Sequence, residues 1–193
     1  MNANSPASLQ LDTSRAALLI VDVQERLSAA MPEAVLAEVE RNIGILCEAA
    51  RQFDIPMVVS EQYPRGLGKT IESVEQALAG SARLRRLEKL DFGVGAAPEF
   101  APIWEDFGRD QWILTGMESH VCVYQTARQL LERGAAVHVP VDAVLSRRKT
   151  SWKVGMRLIE RAGGILTSTE ALVFDLMARA GTPEFKVLSK LMR

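Results

Sequence analysis

One of the two cysteines of this chain lies where a nucleophile could be made, in the segment WILTGMESHVCVYQTARQLLERG at residues 112–134. Cys122 follows an apolar run that ends at Gly116, and it begins an amphipathic run that Gly134 ends as a helix C-cap glycine would. Unpaired amides and the dipole at a helix N-terminus favour an anion, so this position predicts a thiol with a lowered pKa. In a buried element, a cysteine would instead be small hydrophobic filler.

Two further ionisable residues, Asp22 in LLIVDVQERL and Lys89 in RRLEKLDFG, stand where short β-prone runs end. An ammonium near the thiol would favour the thiolate, and a carboxylate could take the thiol proton, pass it to a departing amine and then activate water. Backbone amides of the turn MESHVC would point toward the oxygen of the attacked carbonyl. Taken singly, such an aspartate is often a helix N-cap, and such a lysine is usually on the surface.

The elements that would position these residues alternate between short β-prone runs and longer helical patterns, which indicates βαβ units and a parallel sheet. The third run, RRLEK, is the weakest, because its charges are typical of a loop or an edge strand. The predicted strands are 16–22, 56–61, 85–89, 111–116, 136–142 and 164–169. The predicted helices are 33–53, 70–79, 98–107, 122–133, 150–162, 170–180 and 183–191.

Near-continuous apolar strands indicate a sheet covered on both faces, so the predicted fold is a single α/β sandwich. Ligands of such sheets bind beyond the carboxyl ends of the strands, where the strand order reverses. If the order is Rossmann-like, 3-2-1-4-5-6, strands one and four are neighbours and Asp22 faces Cys122 across that point. Lys89 would lie two strands from Asp22, roughly 10 Å away at the usual strand spacing, a gap that a lysine side chain can largely cover.

Composition bounds the class of protein. The 193 residues carry a net charge of −1, with 48% hydrophobic and 24% charged residues, which suits a soluble globular domain and offers no basic footprint for nucleic acid. We find no signal-peptide core and no apolar run approaching a membrane span, and two unclustered cysteines favour a reducing compartment. We therefore expect a flexible segment at 1–14, a single domain at 15–193, a cytoplasmic location, and neither a membrane nor a nucleic-acid partner.

Three segments together resemble the isochorismatase-like cysteine hydrolases, whose triad is aspartate, lysine and cysteine: LLIVDVQ, the lysine of LEKLDFG, and TGMESHVCVYQTA. The resemblance runs from about residue 16 to the C-terminus, and VVSEQYPRGLGKT, HVPVDAVLSRR, TSTEALVFDLM and PEFKVLSKL resemble the subgroup of isochorismatase domain-containing proteins. It implies a six-stranded parallel sheet in a three-layer α/β/α sandwich. It also implies that Asp22, Lys89 and Cys122 are the catalytic residues.

Further expectations come from the same resemblance. It implies that the amides of Glu118 and Cys122 form the oxyanion site, that the peptide bond from Met117 to Glu118 is cis, and that the protein is a homo-oligomer. The segment SEQYPRGLGKT has no histidine and so departs from the metal site of nicotinamidases, which leaves no expected metal or cofactor. The segment KLDFG departs from the small and aromatic residues that commonly follow the lysine, which affects the expected pocket more than the triad.

Four other residues are candidates for contact with a substrate. Tyr63 lies in a Pro/Gly loop at a strand end and Phe92 shortly after the lysine, so each is either a pocket residue or an ordinary turn aromatic. Arg147 and Arg148 could bind an acidic substrate or form a solvated loop pair.

The remaining histidines and cysteine favour plainer interpretations. His120 and His138 are too few for a zinc site without further ligands, and alternation with apolar residues in AVHVPV favours a satisfied core or interface position for His138. Cys47, in the helical IGILCEAA, is interpreted as buried packing.

Three functional hypotheses are compatible with these patterns. The first is a metal-independent cysteine hydrolase that cleaves the C–N bond of a small amide through a thioester at Cys122. The second is a vinyl ether hydrolase of the isochorismatase type, for which Cys122 would be dispensable and Asp22 essential. The third is a non-enzymatic binding protein, because a doubly wound fold alone specifies no activity.

Overall fold

Strand β1, Ala16–Val21, is buried along its whole length, as expected of a central strand with helices on both faces. Its side chains alternate between the two faces, because successive residues of a strand point in opposite directions. Leu18 and Ile20 pack in one apolar cluster, and Leu19 and Val21 pack in the other. The sheet therefore separates two hydrophobic cores.

In the computed structural model, which describes residues 9–193, the strands form a parallel sheet in the order β3-β2-β1-β4-β5-β7. This confirms the predicted order, with β7 in the sixth place. The predicted count of six strands is one short, because the two-residue strand β6 pairs with the end of β4 and is too short to leave a periodic signal. The strands are β1 Ala16–Val21, β2 Met57–Gln62, β3 Leu84–Lys89, β4 Gln111–Met117, β5 Ala136–Pro140, β6 Val144–Leu145 and β7 Ile165–Thr167.

Helices cover both faces of the sheet and complete the predicted three-layer α/β/α sandwich. The helices are α1 Glu25–Ser28, α2 Glu33–Gln52, α3 Pro64–Leu67, α4 Glu72–Leu78, α5 Phe100–Phe107, α6 Tyr124–Glu132, α7 Lys149–Arg161, α8 Thr169–Met177 and α9 Pro183–Leu191. Helices α2, α4, α8 and α9 contribute to the cluster that contains Leu18, whereas α5, α6 and α7 contribute to the cluster that contains Leu19. None of the helices within residues 9–193 is long and apolar enough to cross a membrane.

The segment expected to be flexible, residues 1–14, falls partly outside the described residues. Within the described part, Leu11 is buried and its amide donates to Asp175 Oδ2 at 2.6 Å. The amide of Asp12 donates to Gln111 Oε1 at 2.8 Å. The packed part of the chain therefore includes Leu11 and Asp12, which precede residue 15.

The ends of β1 and β4 approach each other too closely for a side chain. Gly116 pairs with Val21 and has a φ of 108°. A Cβ at Gly116 would lie 2.1 Å from the Val21 carbonyl oxygen, well inside contact distance. Glycine at this position therefore allows the residue that follows Val21 to lie beside the residues that follow β4.

Candidate active site

A buried ion pair joins the ends of β1 and β3. Lys89 Nζ lies 2.6 Å from Asp22 Oδ2, and both side chains have no exposed surface. Ser60, on the intervening strand β2, donates from its hydroxyl to Asp22 Oδ1 at 2.7 Å. Asp22 has a left-handed backbone with a φ of 52°, which is uncommon for a residue with a side chain.

The Lys89 ammonium uses all three of its protons within the protein. Besides Asp22 it donates to Gln62 Oε1 at 2.8 Å and to the Phe92 carbonyl oxygen at 3.1 Å. Three fixed acceptors leave this ammonium no further proton for a hydrogen bond, because it has only three donors. It therefore acts as a fixed positive charge beside the carboxylate.

Cys122 completes the cluster from the far side of β1. The Asp22 carboxylate lies close enough to the Cys122 thiol to shift its pKa, and the residue is 6% exposed. Cys122 lies in a π-helical turn, Ser119–Val123, that connects β4 to α6. The three residues singled out from the sequence, Asp22, Lys89 and Cys122, therefore converge on one point beyond the strand ends.

The expected ionisation of Cys122 is wrong. Burial is the largest cause and the Asp22 carboxylate adds to it, and together they raise the pKa of the Cys122 thiol to about 12. The Lys89 ammonium opposes this shift, but its charge is largely balanced by the carboxylate with which it is paired. The prediction assumed the first turn of an α-helix and left out the effect of burial, whereas Cys122 lies in a π-helical turn and is nearly buried.

The pKa of Asp22 is shifted in the direction that suits a base. Burial raises the pKa of Asp22 above its ordinary value, and the Lys89 charge, with hydrogen bonds from Lys89 and Ser60, opposes that rise. A carboxylate with a raised pKa holds a transferred proton better than an exposed aspartate would.

Glu118 begins the turn that carries Cys122, and the peptide bond between Met117 and Glu118 is cis. Its carboxylate is buried and accepts hydrogen bonds from the backbone amide of Arg147 at 3.0 Å and from the Arg147 guanidinium at 3.1 Å. The backbone amide of Glu118 donates to no protein oxygen within residues 9–193. That amide is therefore available to an oxygen of a bound molecule.

Two further contacts fix the position of the turn that carries Cys122. A Cβ at Gly155 of α7 would lie 2.7 Å from the carbonyl carbon of Ser119, so the helix backbone rests directly against the turn. The hydroxyls of Ser119 and Ser146 are 2.5 Å apart, and Ser146 also contacts His120 Nδ1 at 3.0 Å. The turn is therefore fixed by α7 and by the segment after β6.

A cleft of about 440 Å³ opens beside Lys89, and Tyr63 forms part of its wall. Tyr63 is 51% exposed and has a left-handed backbone, with a φ of 39°. Phe92 is 54% exposed and does not line this cleft, but its carbonyl oxygen binds the ammonium of Lys89. Tyr63 thus has the position expected of a pocket residue, whereas Phe92 contributes its backbone.

Comparison with known proteins decides the family. Residues 16–171 match the family model described as the isochorismatase domain. The chain belongs to the isochorismatase family. Isochorismatase domain-containing protein 2 of Danio rerio is 32% identical over 183 residues, which cover 95% of this chain and 89% of that protein.

Two other members are similar over most of their length. The secreted isochorismatase effector Isc1 of Phytophthora sojae is 32% identical over 177 residues, covering 91% of this chain and 83% of that protein. The structure of MAR1 ribonuclease from Caenorhabditis elegans superposes with a TM-score of 0.87 at 35% identity, covering 95% of this chain and 92% of that chain. The family resemblance and the fold expected from the sequence are therefore confirmed.

Several residues around the cluster of this isochorismatase-family chain were not singled out from the sequence. Ser60 and Gln62 contact Asp22 and Lys89, and Gln24 links the end of β2 to the loop after it, through Gln62 N at 2.7 Å and Gly68 O at 2.7 Å. The signal was present in VVSEQ, where two polar residues spaced by two occupy one face of an otherwise apolar strand end. No set of three or more histidine, cysteine, aspartate or glutamate residues within 9–193 is arranged to hold a metal ion.

Proposed function

We propose that this isochorismatase-family chain is a metal-independent hydrolase that cleaves the C–N bond of a small amide through a thioester on Cys122. The observation that carries the proposal is the position of the Asp22 carboxylate, which is paired with Lys89 at 2.6 Å and lies close enough to the Cys122 thiol to shift its pKa. A thiol beside an oriented base is what activation of a cysteine nucleophile requires.

In the acylation half, Asp22 removes the thiol proton as the sulfur attacks the amide carbonyl carbon. The carbonyl electron pair moves onto oxygen and forms a tetrahedral oxyanion. When the pair returns, the C–N bond breaks, and protonated Asp22 gives its proton to the departing nitrogen. The products of this half are an amine and an acyl group held on Cys122 as a thioester.

In the deacylation half, a water molecule attacks the thioester carbonyl carbon while Asp22 takes its proton. Collapse of the second tetrahedral intermediate breaks the C–S bond and releases a carboxylic acid. The proton on Asp22 returns to the sulfur, so the protein is regenerated and one water is consumed per amide. The pKa of about 12 for Cys122 supports this coupling, because little free thiolate exists without proton transfer to Asp22.

Two backbone amides are proposed to stabilise the oxyanion, those of Glu118 and Cys122. The Glu118 amide has no acceptor within the described part of the chain, and its side chain is anchored by Arg147, which fixes the direction of the peptide. Donors that are already oriented before reaction stabilise a developing charge by about 3–4 kcal/mol each in well-studied hydrolases. Lys89 balances the charge of Asp22 in both halves of the reaction.

An RNA substrate is the main alternative, because a solved relative at 35% identity is named a ribonuclease. The charges of this chain favour a small molecule. Arg83, Arg85 and Arg86, on or beside the exposed edge strand β3, each lie within 3.6 Å of a carboxylate, so this edge offers few free cations to a phosphate backbone.

The decisive experiment incubates the protein separately with a panel of small amides, with isochorismate and with RNA, measures turnover of each, and searches for an acyl adduct by mass spectrometry. An adduct on Cys122 in wild-type protein and in Cys47→Ala, but not in Cys122→Ala, supports the thioester mechanism. Turnover of isochorismate by Cys122→Ala would instead favour vinyl ether hydrolysis. Cleavage of RNA by Cys122→Ala would favour a ribonuclease, and no turnover across the panel would favour a binding protein.

We also propose a cytoplasmic homo-oligomer that needs no cofactor. The oligomer rests on the family resemblance, and the location rests on the two unclustered cysteines. The relative from Phytophthora sojae is named a secreted effector, so the location is to be tested directly. Light scattering at working concentration tests the assembly, since a monomer would contradict it.

A further inference from the structure

A second cavity is lined by residues none of which lines the Lys89 cleft. It has a volume of about 430 Å³ and lies between the Cys122 turn and the start of α7. Its lining is polar throughout and consists of Glu118, His120, Arg147, Arg148 and Ser151. Two of these residues, Glu118 and His120, belong to the same turn as the nucleophile and precede it by four and two positions.

The charge of this cavity is not balanced by its own residues. The carboxylate of Glu118 is paired with Arg147, whose side chain remains 60% exposed. Arg148 makes no hydrogen bond or ion pair through its guanidinium with any residue from 9 to 193. With one carboxylate against two guanidinium groups, the cavity retains one unpaired positive charge.

His120 adds an oriented ring nitrogen to this wall. Its Nδ1 is held by Ser146 at 3.0 Å, and its Nε2 contacts no protein acceptor within the described residues. The hydroxyl of Ser146 is held in turn by Ser119. The orientation of the imidazole is therefore set by the turn, while one ring nitrogen is left for a ligand.

The cleft beside Lys89 has the opposite character. Its charged lining comprises two cations and three carboxylates, namely Arg65, Lys89, Glu88, Asp91 and Glu99. One of the cations, Lys89, is already committed to three acceptors. An anionic group is therefore disfavoured in the Lys89 cleft and favoured in the second cavity.

We propose that this cavity binds the acidic group, a carboxylate or a phosphate, of the molecule that reacts at Cys122, with Arg148 and His120 as the contacting side chains and Arg147 as a second cation. The guanidinium of arginine matches both groups through paired hydrogen bonds. The inference rests on the proposed function in one respect, that Cys122 is the nucleophile. It narrows the substrate class to small amides that carry an acid group.

The test compares two alkylating reagents of similar length, iodoacetylglycine, which carries a carboxylate, and N-propyliodoacetamide, which is neutral. The rate of modification of Cys122 by each reagent is followed by mass spectrometry, and the ratio of the two rates is compared between variants. We expect Arg148→Gln to lower the ratio roughly tenfold, which corresponds to about 1.4 kcal/mol. The matched control is Arg161→Gln, an exposed arginine at the far end of the same helix, which should leave the ratio unchanged.

The outcomes separate this inference from the proposed function. An equal fall in the ratio for Arg148→Gln and Arg161→Gln would indicate general charge attraction and overturn the assignment of the cavity. An unchanged ratio in Arg148→Gln would overturn it as well. Failure of the proposed nucleophile has a different signature, because no acyl adduct would then form on Cys122 with any amide, whatever the ratio of alkylation rates does.

Discussion

Two regions of the molecule bury titratable groups, and they bury them differently. In the core beneath α2 and α8, Cys47 and His138 are almost wholly buried, and neither is in an ion pair. At the carboxyl edge of the sheet, Asp22 and Lys89 are buried as an ion pair, and Cys122 is buried close enough to both for their charges to shift its pKa. A buried titratable group without an ion-pair partner stays neutral, whereas a proton can move between buried titratable groups that lie close together.

The two cysteines make this comparison sharp. Burial raises the pKa of both thiols to about 12, so the two do not differ in acidity. They differ in their charged neighbours. The Asp22 carboxylate acts on the Cys122 thiol, whereas the two charged side chains that act on Cys47 are Glu48 and Arg51, which pair with each other. An adjacent base, rather than a low pKa, is therefore what we expect to distinguish a nucleophile from packing in this protein.

The largest expected effect comes from removing the cation of the edge cluster. Lys89→Met leaves the Asp22 carboxylate buried without a partner, and we expect the free energy of unfolding to fall by about 3–5 kcal/mol. Urea denaturation at pH 7 measures this loss. Adding Asp22→Asn should restore most of it, because the unpaired charge is then gone.

A surface ion pair provides the control for that measurement. Arg85 pairs with Asp106 at 3.0 Å, and both side chains are about half exposed. Because exposed pairs contribute no more than about 1 kcal/mol, Arg85→Met should change stability little. Equal losses for Arg85→Met and Lys89→Met would mean that the buried pair has no special role in the fold.

The next largest effect comes from replacing Asp22, the proposed base. Asp22→Asn keeps the shape of the side chain and an acceptor for Lys89, but it removes the group that takes the thiol proton. We expect alkylation of Cys122 by iodoacetamide at pH 7.5 to slow about 10²-fold, with the rate at Cys47 unchanged. Access alone cannot produce this result, since the exposure of Cys122 stays the same, and an unaltered rate would remove Asp22 from the role of base.

His138 tests the other region, in which titratable groups are buried without an ion pair. Burial lowers the pKa of His138 to about 4, and Asp175 opposes the shift. Because the folded-state pKa is depressed, its contribution to stability is present above the unfolded value near 6.5 and is lost as the pH falls toward 4. Between pH 6.5 and pH 5 we expect a loss of about 1.5 kcal/mol from this group.

Comparing wild type with His138→Phe separates the contribution of His138 to the pH dependence of stability from that of carboxylates, which titrate in both proteins. The stability of both proteins is measured by urea denaturation at pH 6.5 and at pH 5. The variant should lose less stability than wild type over this interval, and parallel losses would indicate that His138 is protonated in the folded protein. The sequence favoured a satisfied histidine, but within residues 9–193 its Nε2 has no hydrogen-bond partner.

The difference between the two regions also explains what could be predicted from the sequence. Strand order and the convergence of Asp22 with Lys89 and Cys122 follow from periodicity, from the end-of-strand rule and from family motifs, all of which are properties of the chain. The shift in the pKa of the Cys122 thiol was predicted in the wrong direction. Its sign depends on how deeply the turn is buried and on how far the charge of the Lys89 ammonium is balanced by the Asp22 carboxylate. Neither quantity is encoded in local spacing.

Polar residues that support the cluster were missed for a related reason. Gln62 and Ser60 lie on the strand between Asp22 and Lys89, and their roles depend on the register of β2 against β1 and β3. The strand was predicted within one residue, but its register was not. A search for polar residues on one face of an apolar strand end would have found both.

The smallest effect concerns the cysteine that lacks a base. Cys47→Ala removes one buried sulfur from the core and should lower the free energy of unfolding by about 1 kcal/mol, as the deletion of one buried heavy atom does. It should leave the alkylation rate of Cys122 and any turnover unchanged.

The same substitution at Cys122 removes the same atom from a nearly buried site, so its effect on stability should be similar, while the formation of an acyl adduct should be lost. Urea denaturation and adduct mass on the two variants side by side test this. Loss of adduct formation in Cys47→Ala would contradict the distinction, because it would mean that burial, and not the neighbouring carboxylate, decides which thiol of this protein reacts.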